Sequence, residues 1–470
     1  MTKPINQAAA AEQFLQDPQR AQQYDQILWN ARLRRDQAAA SIPEWEQLRE
    51  IASQIKEYTL THLADYLEQF EANAKQNGIQ VHWAKDGVEH NQIVYDILNT
   101  HQVQTLVKSK SMLQEECGMV PFLENQGITI TESDFGERIQ QLDQEPPSHI
   151  VMPAIHKNRQ DVSKLFAEKI ETDPNNDDPH YLNEMMRQNT RPRFLKADAG
   201  MTGVNFAIAE TGSFVVCTNE GNADIGANVP RLHIASMGIE KLIPKVEHLA
   251  VFIRLLSRSA LGSPITQYTS HFTQPKKGGE IHLVIVDNGR SERLGMADFW
   301  SSLKCIRCGA CLNTCPVYRR SGGLSYGAVY SGPIGMVLDP TFDAKKYSNL
   351  PYASTLCGSC GDVCPVKIDL PEQIYKWRRV MAEKKLLSLP RRESMKAAGM
   401  VLGNPQLYRF AENVILQKVM KYFPLLFSSK ILNPWVRHRA LPTVPEQTFK
   451  QWYIKNRQPQ NTQKKTQKNL

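Results

Sequence analysis

Seven of the nine cysteines lie between residues 305 and 364, and their spacing restricts what this part of the chain can fold into. The two groups read Cys305-x2-Cys308-x2-Cys311-x3-Cys315-Pro316 and Cys357-x2-Cys360-x3-Cys364-Pro365. Thiolates at this spacing can fold around one corner of an Fe4S4 cube, and in bacterial ferredoxins the cysteine before proline ligates the other cluster. The sequence therefore predicts an iron–sulfur domain with two clusters.

The ferredoxin rule divides these seven thiolates unequally between the two clusters. The sets are Cys305, Cys308, Cys311 and Cys364 for the first 4Fe-4S cluster, and Cys315, Cys357 and Cys360 for the second. The second set lacks a ligand, and Ser354 stands three residues before Cys357, where a full run would begin. Three alternatives stay open: Ser354 ligates through its hydroxyl, the fourth iron carries water or a substrate oxygen, or the cluster is 3Fe-4S.

Zinc and disulfides are the other common uses of clustered cysteines. Structural zinc sites usually combine two separated Cys-x2-Cys pairs, or pairs mixed with histidine, and the tripled spacing here differs from that pattern. The first ten residues, MTKPINQAAA, contain no apolar signal core, so we expect a reducing cytoplasm rather than a secreted disulfide scaffold. Cys117 and Cys217, outside the two groups, are expected to be packing residues.

Length and composition predict several soluble domains and a basic end. A chain of 470 residues with 41% hydrophobic content can bury two or three cores, and no apolar run approaches the roughly 20 residues of a membrane helix. From Tyr375 to Leu470 there are 20 Lys and Arg against 4 Asp and Glu, a net charge of +16, which leaves 36 against 44, or −8, for the first 374 residues. The basic end suits a partner subunit, the anionic inner face of a membrane, or a solvated surface. Nucleic acid is disfavoured because no zinc-finger, RRM or KH signature accompanies the charge.

The chain is predicted to contain four segments, at 1–75, 76–295, 296–388 and 389–470. The first is helical, with apolar residues at helical spacing such as Leu48, Ile51 and Ile55. The second alternates β-branched runs with helices, which predicts an α/β domain with a largely parallel sheet. The third is the α-helical ferredoxin domain, and the fourth is a basic helical extension ending in a disordered tail, NRQPQNTQKKTQKNL.

Several local elements follow from the same patterns. The predicted strands are Gln80–Trp83, Thr105–Val107, Ile128–Thr131, His149–Met152, Val204–Ala209, Gly212–Cys217, Leu232–Ser236 and His282–Val286. A helix from Ile243 to Arg258 is expected to follow the strand at Leu232 directly, as a crossover. The Gly- and Tyr-rich stretch from Tyr318 to Tyr352 is expected to be a loop. An amphipathic helix is expected from Leu407 to Phe423, and Trp29, Trp45 and Trp83 are expected to be core anchors.

Four motifs resemble those of the lactate utilisation protein B family. They are KSKSMLQEE at Lys108–Glu116, AETGSFVVCTNEGN at Ala209–Asn222, the cysteine run at Cys305, and TLCGSCGDVCPVKIDLP at Thr355–Pro371. The resemblance covers nearly the whole chain. It implies a LUD-type α/β domain, similar in fold to sugar-phosphate isomerases and CoA transferases, followed by a helical two-cluster ferredoxin domain. It also implies the two ligand sets given above, with the missing eighth cysteine as a family trait.

The resemblance further implies a cytoplasmic iron–sulfur subunit of a bacterial system that oxidises L-lactate to pyruvate and permits growth on lactate. Two partners are expected: a cysteine-rich iron–sulfur protein and a second LUD-type protein. Because each cluster passes one electron at a time, and because no GxGxxG run marks a nucleotide site, the chain suits electron transfer within an NAD-independent L-lactate dehydrogenase. A cluster-bearing scaffold or redox sensor is another interpretation.

An alternative is that the α/β domain itself binds and dehydrogenates lactate or a related 2-hydroxy acid, with the open iron of the second cluster as a Lewis acid. The candidate catalytic residue is then Glu210, in a turn with Asn219 and Asn222 nearby, by fold-level analogy with the glutamate nucleophile of CoA transferases. A purely structural turn is the competing interpretation. The segment Lys108–Ser111 could bind a carboxylate or phosphate, and the histidines show no paired spacing with an acid that would mark a site.

Overall fold

The computed structural model describes residues 4–420, 422–429, 433, 436, 441 and 443–457. The chain divides into two compact units, Met1–Leu386 and Leu387–Leu470. The first unit contains the N-terminal helices, the α/β domain and all nine cysteines. The second unit contains the remaining helices.

Four helices open the first unit: α1 Gln7–Phe14, α2 Pro18–Ala40, α3 Trp45–Thr61 and α4 Leu63–Gln76. Helix α2 begins where the Asp17 side chain accepts a hydrogen bond from the Arg20 amide, with a proline in the first helical position. Its buried residues Tyr24, Leu28 and Ala31 recur at helical spacing and form the packed face. This part of the chain is thus helical.

A six-stranded, fully parallel sheet forms the centre of the α/β domain. Its strands are β1 Gln80–Ala84, β2 Thr105–Lys108, β3 Thr129–Glu132, β4 Ala199–Gly203, β7 Leu232–Gly238 and β10 Glu280–Val286, in the spatial order β1-β10-β7-β4-β2-β3. Strand β7 is buried along its whole length, as expected for a parallel sheet covered on both faces. Ile234 faces one hydrophobic core and Leu283 the other. The predicted parallel α/β architecture is confirmed.

A second sheet, ordered β8-β5-β6-β9, packs over one face of the first. Its strands are β5 Phe206–Ile208, β6 Ser213–Thr218, β8 Leu242–Ile243 and β9 Tyr268–Phe272. Phe214 and Phe272 of this sheet lie in the same core as Leu283 and Ile285 of the parallel sheet. The remaining helices of the domain are α5 Gly87–Thr100, α6 Met112–Glu116, α7 Met119–Asn125, α8 Phe135–Asp143, α9 Arg159–Ile170, α10 Pro179–Lys196, α11 Asn222–Asn228, α12 Val246–Leu261 and α13 Arg290–Leu294, with a 3-10 turn at Ile239–Lys241.

Several strand predictions need correction. His149–Met152 is a turn rather than a strand, because the amides of Val151 and Met152 both donate to Nδ1 of His149. Strand β4 was not predicted, since its sequence AGMTG lacks a β-branched run. A Cβ on Gly200 would lie 1.8 Å from the Gly226 carbonyl oxygen, so the approach of α11 requires a small residue there.

The predicted crossover is also more elaborate than expected. Strands β7 and β10 are parallel neighbours, and α12 lies in the connection between them. However, β8 precedes the helix and β9 follows it, so the helix does not follow β7 directly. Strand β9 was not predicted either, and both inserted strands belong to the second sheet. The connection therefore builds a second layer as well as a crossover.

Only one of the three tryptophans predicted as core anchors is buried. Trp45 is 7% exposed, whereas Trp29 and Trp83 are each 43% exposed. The Arg319 guanidinium lies 4.4 Å from the centre of the Trp29 ring, so this ring packs against a cation near the surface. The prediction was wrong for Trp29 and Trp83.

The cysteine-bearing segment is built from short helices. They are α14 Ala310–Thr314, α15 Tyr318–Ser321, α16 Gly332–Phe342, α17 Ser359–Asp362 and α18 Leu370–Glu383, with 3-10 turns at Trp300–Lys304, Gly323–Tyr326 and Leu350–Tyr352. The stretch predicted as a loop therefore contains helices, and its tyrosines Tyr318, Tyr326 and Tyr330 are almost fully buried. Aromatic packing orders this stretch in spite of its glycines.

The second unit is also helical where the structure describes it. Its helices are α19 Leu389–Gly403, α20 Pro405–Phe410, α21 Pro424–Ser428 and α22 Phe449–Asn456, with a π-helix at Ala411–Met420. No residue of α19 is buried. The expected amphipathic helix spans α20 and the π-helix. The tail predicted to be disordered begins at Asn456, which instead ends α22, and residues 458–470 lie outside the described residues. Among those residues, no helix is long and apolar enough to cross a membrane.

Candidate iron–sulfur centre and adjacent cavity

The seven clustered thiols lie near one another in two groups. Burial raises the pKa of Cys308 and Cys311, and the neighbouring thiols of Cys305 and Cys364 raise both further. In the other group, burial raises the pKa of Cys360 to about 12, with contributions from its neighbours Cys315 and Cys357. Cys360 also raises the pKa of Cys311, so the two groups are themselves adjacent. A bound metal would favour the thiolate form that burial alone disfavours.

The spacing of the thiols fits a cluster better than a single metal ion. Within the described residues, two groups of three potential ligand atoms lie within 4.8 Å of one another, and neither includes a cysteine. Thiolates on one zinc ion would be about 3.8 Å apart, because Zn–S bonds are about 2.3 Å long and arranged tetrahedrally. Thiolates bound to separate irons of a cube are spread more widely. All nine cysteines are also free of disulfides.

The two cysteine groups share a local backbone pattern. In each, a residue in the left-handed region precedes a cysteine and a glycine in that region follows it: Arg307 (φ 60°) and Gly309 (φ 77°) flank Cys308, and Leu356 (φ 55°) and Gly358 (φ 88°) flank Cys357. Non-glycine residues adopt this conformation at a cost, so its repetition marks two copies of one ligand loop.

This repeat places Ser354 in the position that Cys305 holds in the first loop. The Arg307 amide donates to Sγ of Cys305 at 3.4 Å, and the Leu356 amide donates to Oγ of Ser354 at 3.1 Å. The serine oxygen thus occupies the same local environment as the first cysteine sulfur. The chain therefore offers an oxygen where a full ferredoxin run would offer sulfur.

Helices α2 and α3 anchor the second ligand loop, which the sequence did not indicate. Arg49 donates to the Cys364 carbonyl at 3.0 and 2.9 Å and to the Asp362 carbonyl at 2.7 Å. Arg35 donates to the Val363 carbonyl at 3.3 Å. Both arginines are nearly buried, so they fix the backbone around Cys364, a predicted cluster ligand, from a distant part of the chain.

A cavity of about 230 Å³ lies between the α/β domain and the first cysteine loop. One side is formed at the carboxyl ends of three adjacent strands, by Ser109–Leu113 after β2, Gly203–Asn205 at the end of β4 and Ser236–Gly238 in β7. Arg307, Cys308 and Tyr330 complete it from the cysteine-bearing segment. Ligands of open parallel sheets bind at this edge. The cavity thus adjoins a predicted cluster ligand.

Buried charges join the two sides of this cavity. Arg290 donates to Glu116 at 2.8 and 3.0 Å and to Glu240 at 2.7 Å. Tyr330 donates to Glu116 at 2.6 Å, and Arg307 lies 3.8 Å from Glu240 with its guanidinium over the Tyr330 ring. Burial opposes ionisation of Glu240, but the charge of Arg290 and other cations holds its pKa at about 2. This network fixes the cysteine-bearing segment on the α/β domain.

The predicted candidates of the α/β domain separate into two places. Lys110, Ser111, Asn219 and Asn222 line the cavity. Lys110 donates to Asp134 at 3.3 Å and to the Val151 carbonyl at 3.0 Å. The cavity therefore gathers part of the predicted anion-binding segment.

Two other predicted candidates, Lys108 and Glu210, lie outside the cavity wall. Lys108 is fully buried and bound to Glu132 at 2.9 Å, with two further carboxylates nearby. Glu210 is exposed, and its carboxylate accepts a hydrogen bond from the Val246 amide at 3.1 Å, at the start of α12. Its turn is held by Asn73, and a Cβ on Gly212 would lie 2.2 Å from the Ala74 amide nitrogen. Both side chains have structural contacts that account for them.

Sequence reasoning missed a serine in the cavity wall and the buried histidine that contacts it. Ser236 lines the cavity, and its Oγ is 2.9 Å from Nε2 of the fully buried His90. Nδ1 of His90 is 2.9 Å from Oδ1 of Asn91, whose Nδ2 donates to the Cys117 carbonyl. The pair is far apart in sequence, so no local spacing could have signalled it.

Comparisons with known proteins agree with this architecture. Residues 67–293 match the LUD domain family, and residues 301–368 match the 4Fe-4S dicluster domain family. A Lactate utilization protein B from Shouchella clausii is 42% identical over 431 residues, covering 88% of this chain and 90% of that protein. The chain belongs to the lactate utilization protein B family.

Other relatives extend the same finding. A Lactate utilization protein B from Bacillus cereus strain B4264 and a Lactate utilization protein B 2 from Bacillus mycoides are each 41% identical over 426 residues, covering 88% of this chain and 90% of each relative. A solved structure of a duf162 family protein from Deinococcus radiodurans covers 48% of this chain and 98% of its own, with 13% identity and a TM-score of 0.27. The predicted family and fold class are confirmed, and residues 301–368 are an iron–sulfur domain.

Proposed function

We propose that this chain is the iron–sulfur electron-transfer subunit of a multi-protein system that oxidises L-lactate to pyruvate and permits growth on lactate. The observation that carries the proposal is the adjacency of two thiol groups in the 4Fe-4S dicluster domain: α14 carries Cys311, α17 carries Cys360, and the hydroxyls of Thr314 and Ser359 in these helices are 2.5 Å apart. Two adjacent clusters form a path for single electrons. The curated relatives, named for lactate utilization, support the substrate.

The first cluster, in this proposal, is held by Cys305, Cys308, Cys311 and Cys364. The second is held by Cys315, Cys357 and Cys360, with the Ser354 hydroxyl at the fourth position. The equivalent amide hydrogen bonds to Cys305 and Ser354 support this assignment. When bound, the clusters supply one-electron redox chemistry. The chain's own contribution is to hold the thiolates and to donate amide hydrogen bonds to sulfur.

A substitution at Ser354 tests the fourth position directly. Ser354→Ala should alter the EPR signal of the second cluster or lower the iron content, while Ser354→Cys should keep the full iron content. The exposed neighbour Thr355, replaced by alanine, is the matched control. An unchanged signal and iron content in Ser354→Ala would refute a role for this hydroxyl.

The second cluster would exchange electrons with partners. Cys357 is exposed, whereas Cys308 and Cys364 are buried, so the second ligand set reaches the surface. The partners are a cysteine-rich iron–sulfur protein and a second LUD-type protein, and the basic second unit is available to dock one of them. We place the protein in the cytoplasm, with at most peripheral contact at the inner membrane face.

Low-temperature EPR with iron counting tests the electron-transfer role. The anaerobically purified chain is measured before and after addition of L-lactate, with and without the partners. Signals of two clusters that respond to lactate only in the presence of partners are expected. A response of the chain alone would instead support the second candidate function.

That second candidate is dehydrogenation of lactate, or a related 2-hydroxy acid, by this chain itself. The cavity favours it, because its wall includes Cys308, a proposed ligand of the first cluster. Turnover of L-lactate by the isolated holoprotein with an artificial electron acceptor would support this candidate. Turnover only in the mixture with partners would support the electron-transfer role.

A further inference from the structure

We propose that the cavity between the α/β domain and the first cysteine loop binds a small hydroxy-carboxylate, with Lys241 and Arg307 binding its carboxylate and Ser236 accepting from its hydroxyl. This inference deepens the proposed function by assigning the substrate class to a site. It concerns binding alone, so it applies whether the chain or a partner carries out the oxidation.

The size of the cavity restricts the ligand to a small molecule. Its volume is about 230 Å³, below the roughly 300–1,000 Å³ of sites for drug-sized ligands. A dinucleotide or a coenzyme A molecule would not be enclosed by it. A carboxylic acid of a few carbon atoms suits this volume.

Two cations at the cavity wall have side-chain nitrogens without a hydrogen-bond partner among the described residues. Lys241 is half-buried at the wall, and its ammonium group makes no hydrogen bond or salt bridge to the described residues. Nη1 of Arg307 is buried and likewise lacks a hydrogen-bond partner there, and the side chain is only 10% exposed. Glu240 is the nearest carboxylate, but it is already bound by Arg290 at 2.7 Å. Within the described residues, Lys241 and Nη1 of Arg307 are therefore left without a hydrogen-bonded anion, and a ligand carboxylate would supply one.

The hydrogen-bond pattern around His90 makes Ser236 an acceptor. Asn91 donates through Nδ2 to the Cys117 carbonyl, so its Oδ1 accepts from Nδ1 of His90. Nε2 of His90 then carries a lone pair and accepts the Ser236 hydroxyl proton at 2.9 Å. Burial lowers the pKa of His90 and so supports the neutral ring.

Ser236 consequently presents lone pairs rather than a proton to a ligand. Within the described residues its other contact is a weak one, from Nε2 of Gln114 at 3.5 Å. An ionised carboxylate has no proton to give it, whereas an alcohol does. Together with Lys241 and Arg307 in the same cavity wall, this arrangement suits a ligand that carries both an anionic group and a hydroxyl donor.

The cluster itself is the main competitor for the positive charge, because Cys305 lies near both Lys241 and Arg307. Ligand selectivity separates the two explanations. Isothermal titration of the anaerobic holoprotein should show L-lactate binding roughly tenfold more tightly than propionate, which lacks the hydroxyl. Inorganic phosphate should bind more weakly than L-lactate.

Variants assign the two halves of the site. Lys241→Met should weaken the binding of both L-lactate and propionate, by roughly tenfold or more. Ser236→Ala should lower the affinity for L-lactate to that for propionate and leave the affinity for propionate unchanged. Lys245→Met removes an exposed lysine outside the cavity wall and should change neither affinity. Iron content and cluster absorbance, measured on each protein, show whether the fold is kept.

Two results would overturn the inference. One is wild-type holoprotein that binds L-lactate no better than propionate, a comparison that needs no variant. The other is Lys241→Met protein with full iron content and unchanged affinity for L-lactate. The proposed function fails by a different observation, since it requires the clusters to be reduced when lactate and partners are both present.

Discussion

Arg290 holds Glu116 and Glu240, the two carboxylates that Tyr330 and Arg307 of the cysteine-bearing segment contact, and its replacement by methionine should be strongly destabilising. Arg290 is 1% exposed and donates to both Glu116 and Glu240. Methionine keeps much of the volume but removes every one of these hydrogen bonds. Two buried carboxylates then lose their main counter-charge.

The size of the effect follows from burial and from the length of the unit. Breaking a buried ion pair by removing one partner costs about 3–5 kcal/mol. The first unit, Met1–Leu386, contains 386 residues, and an unfolding entropy of about 2.1 cal/mol/K per residue gives roughly 0.8 kcal/mol/K for the unit. Arg290→Met should therefore lower the thermal midpoint by roughly 4–6 °C.

Differential scanning calorimetry of the anaerobic holoprotein, at one fixed heating rate, measures this shift. Arg187→Met is the matched control, because Arg187 forms an exposed bridge to Glu184 at 2.7 Å. Exposed salt bridges contribute about 0–1 kcal/mol, so the thermal midpoint of Arg187→Met should differ from that of the wild type by roughly 1 °C at most. Equal shifts in the two variants would refute the argument that burial makes the Arg290 network strong.

The same variant should show a characteristic pH dependence. In the wild type, burial opposes ionisation, but Arg290 lowers the pKa of Glu116 and holds that of Glu240 at about 2. These lowered values contribute stability that is present above the unfolded pKa of about 4.3 and lost as the pH falls. Without Arg290, burial would raise both pKa values, and protonation would relieve the cost. The difference in thermal midpoint between Arg290→Met and the wild type should therefore become smaller as the pH is lowered from about 8 to about 5. A constant gap would contradict this explanation.

Three further predictions concern acid stability, the clusters and the second unit. Burial lowers the pKa of His149 to about 4, so the stability of the protein should fall as the pH falls from about 6.5 towards 4. The thermal midpoint of His149→Gln should decrease less over this pH range than that of the wild type. His180→Gln, at an exposed histidine, should behave as the wild type does. Cys308→Ser should remove one cluster and destabilise its domain, because cluster binding and local folding are linked; loss of brown colour with an unchanged melting transition would contradict this. Removal of the chain after Leu389 should weaken co-purification with partners more than it alters cluster spectra, and full-yield co-purification would be the contrary result.

The sequence predicted elements whose signal is local. The cysteine spacing gave the iron–sulfur domain because ligand loops depend on residues three or four positions apart. Strand β10, EIHLVIV, was predicted because runs rich in β-branched residues are typical of buried parallel strands. Strand β4 was missed because Gly200 is selected by contact with α11 rather than by strand propensity.

The candidate site was predictable only in part, because its contacts join distant residues. Lys110, Ser111 and Asn222 were singled out from local composition and do line the cavity. His90 and Ser236, however, are 146 positions apart, and Arg49 and Cys364 are 315 apart. No spacing rule reaches across such separations.

The position of the cavity nevertheless follows from the order of the strands in the parallel sheet. Parallel strands end at one edge, so the residues after β2, β4 and β7 meet there, and Lys241 follows β7 by three residues. Most such edges open to solvent, whereas here the loop of Arg307 and Cys308 covers the edge. The buried network of Arg290 and Glu240 holds that loop in place. The proposed binding site at the sheet edge and the proposed first cluster therefore share one wall, so a ligand in the cavity would change the electrostatic environment of that cluster directly.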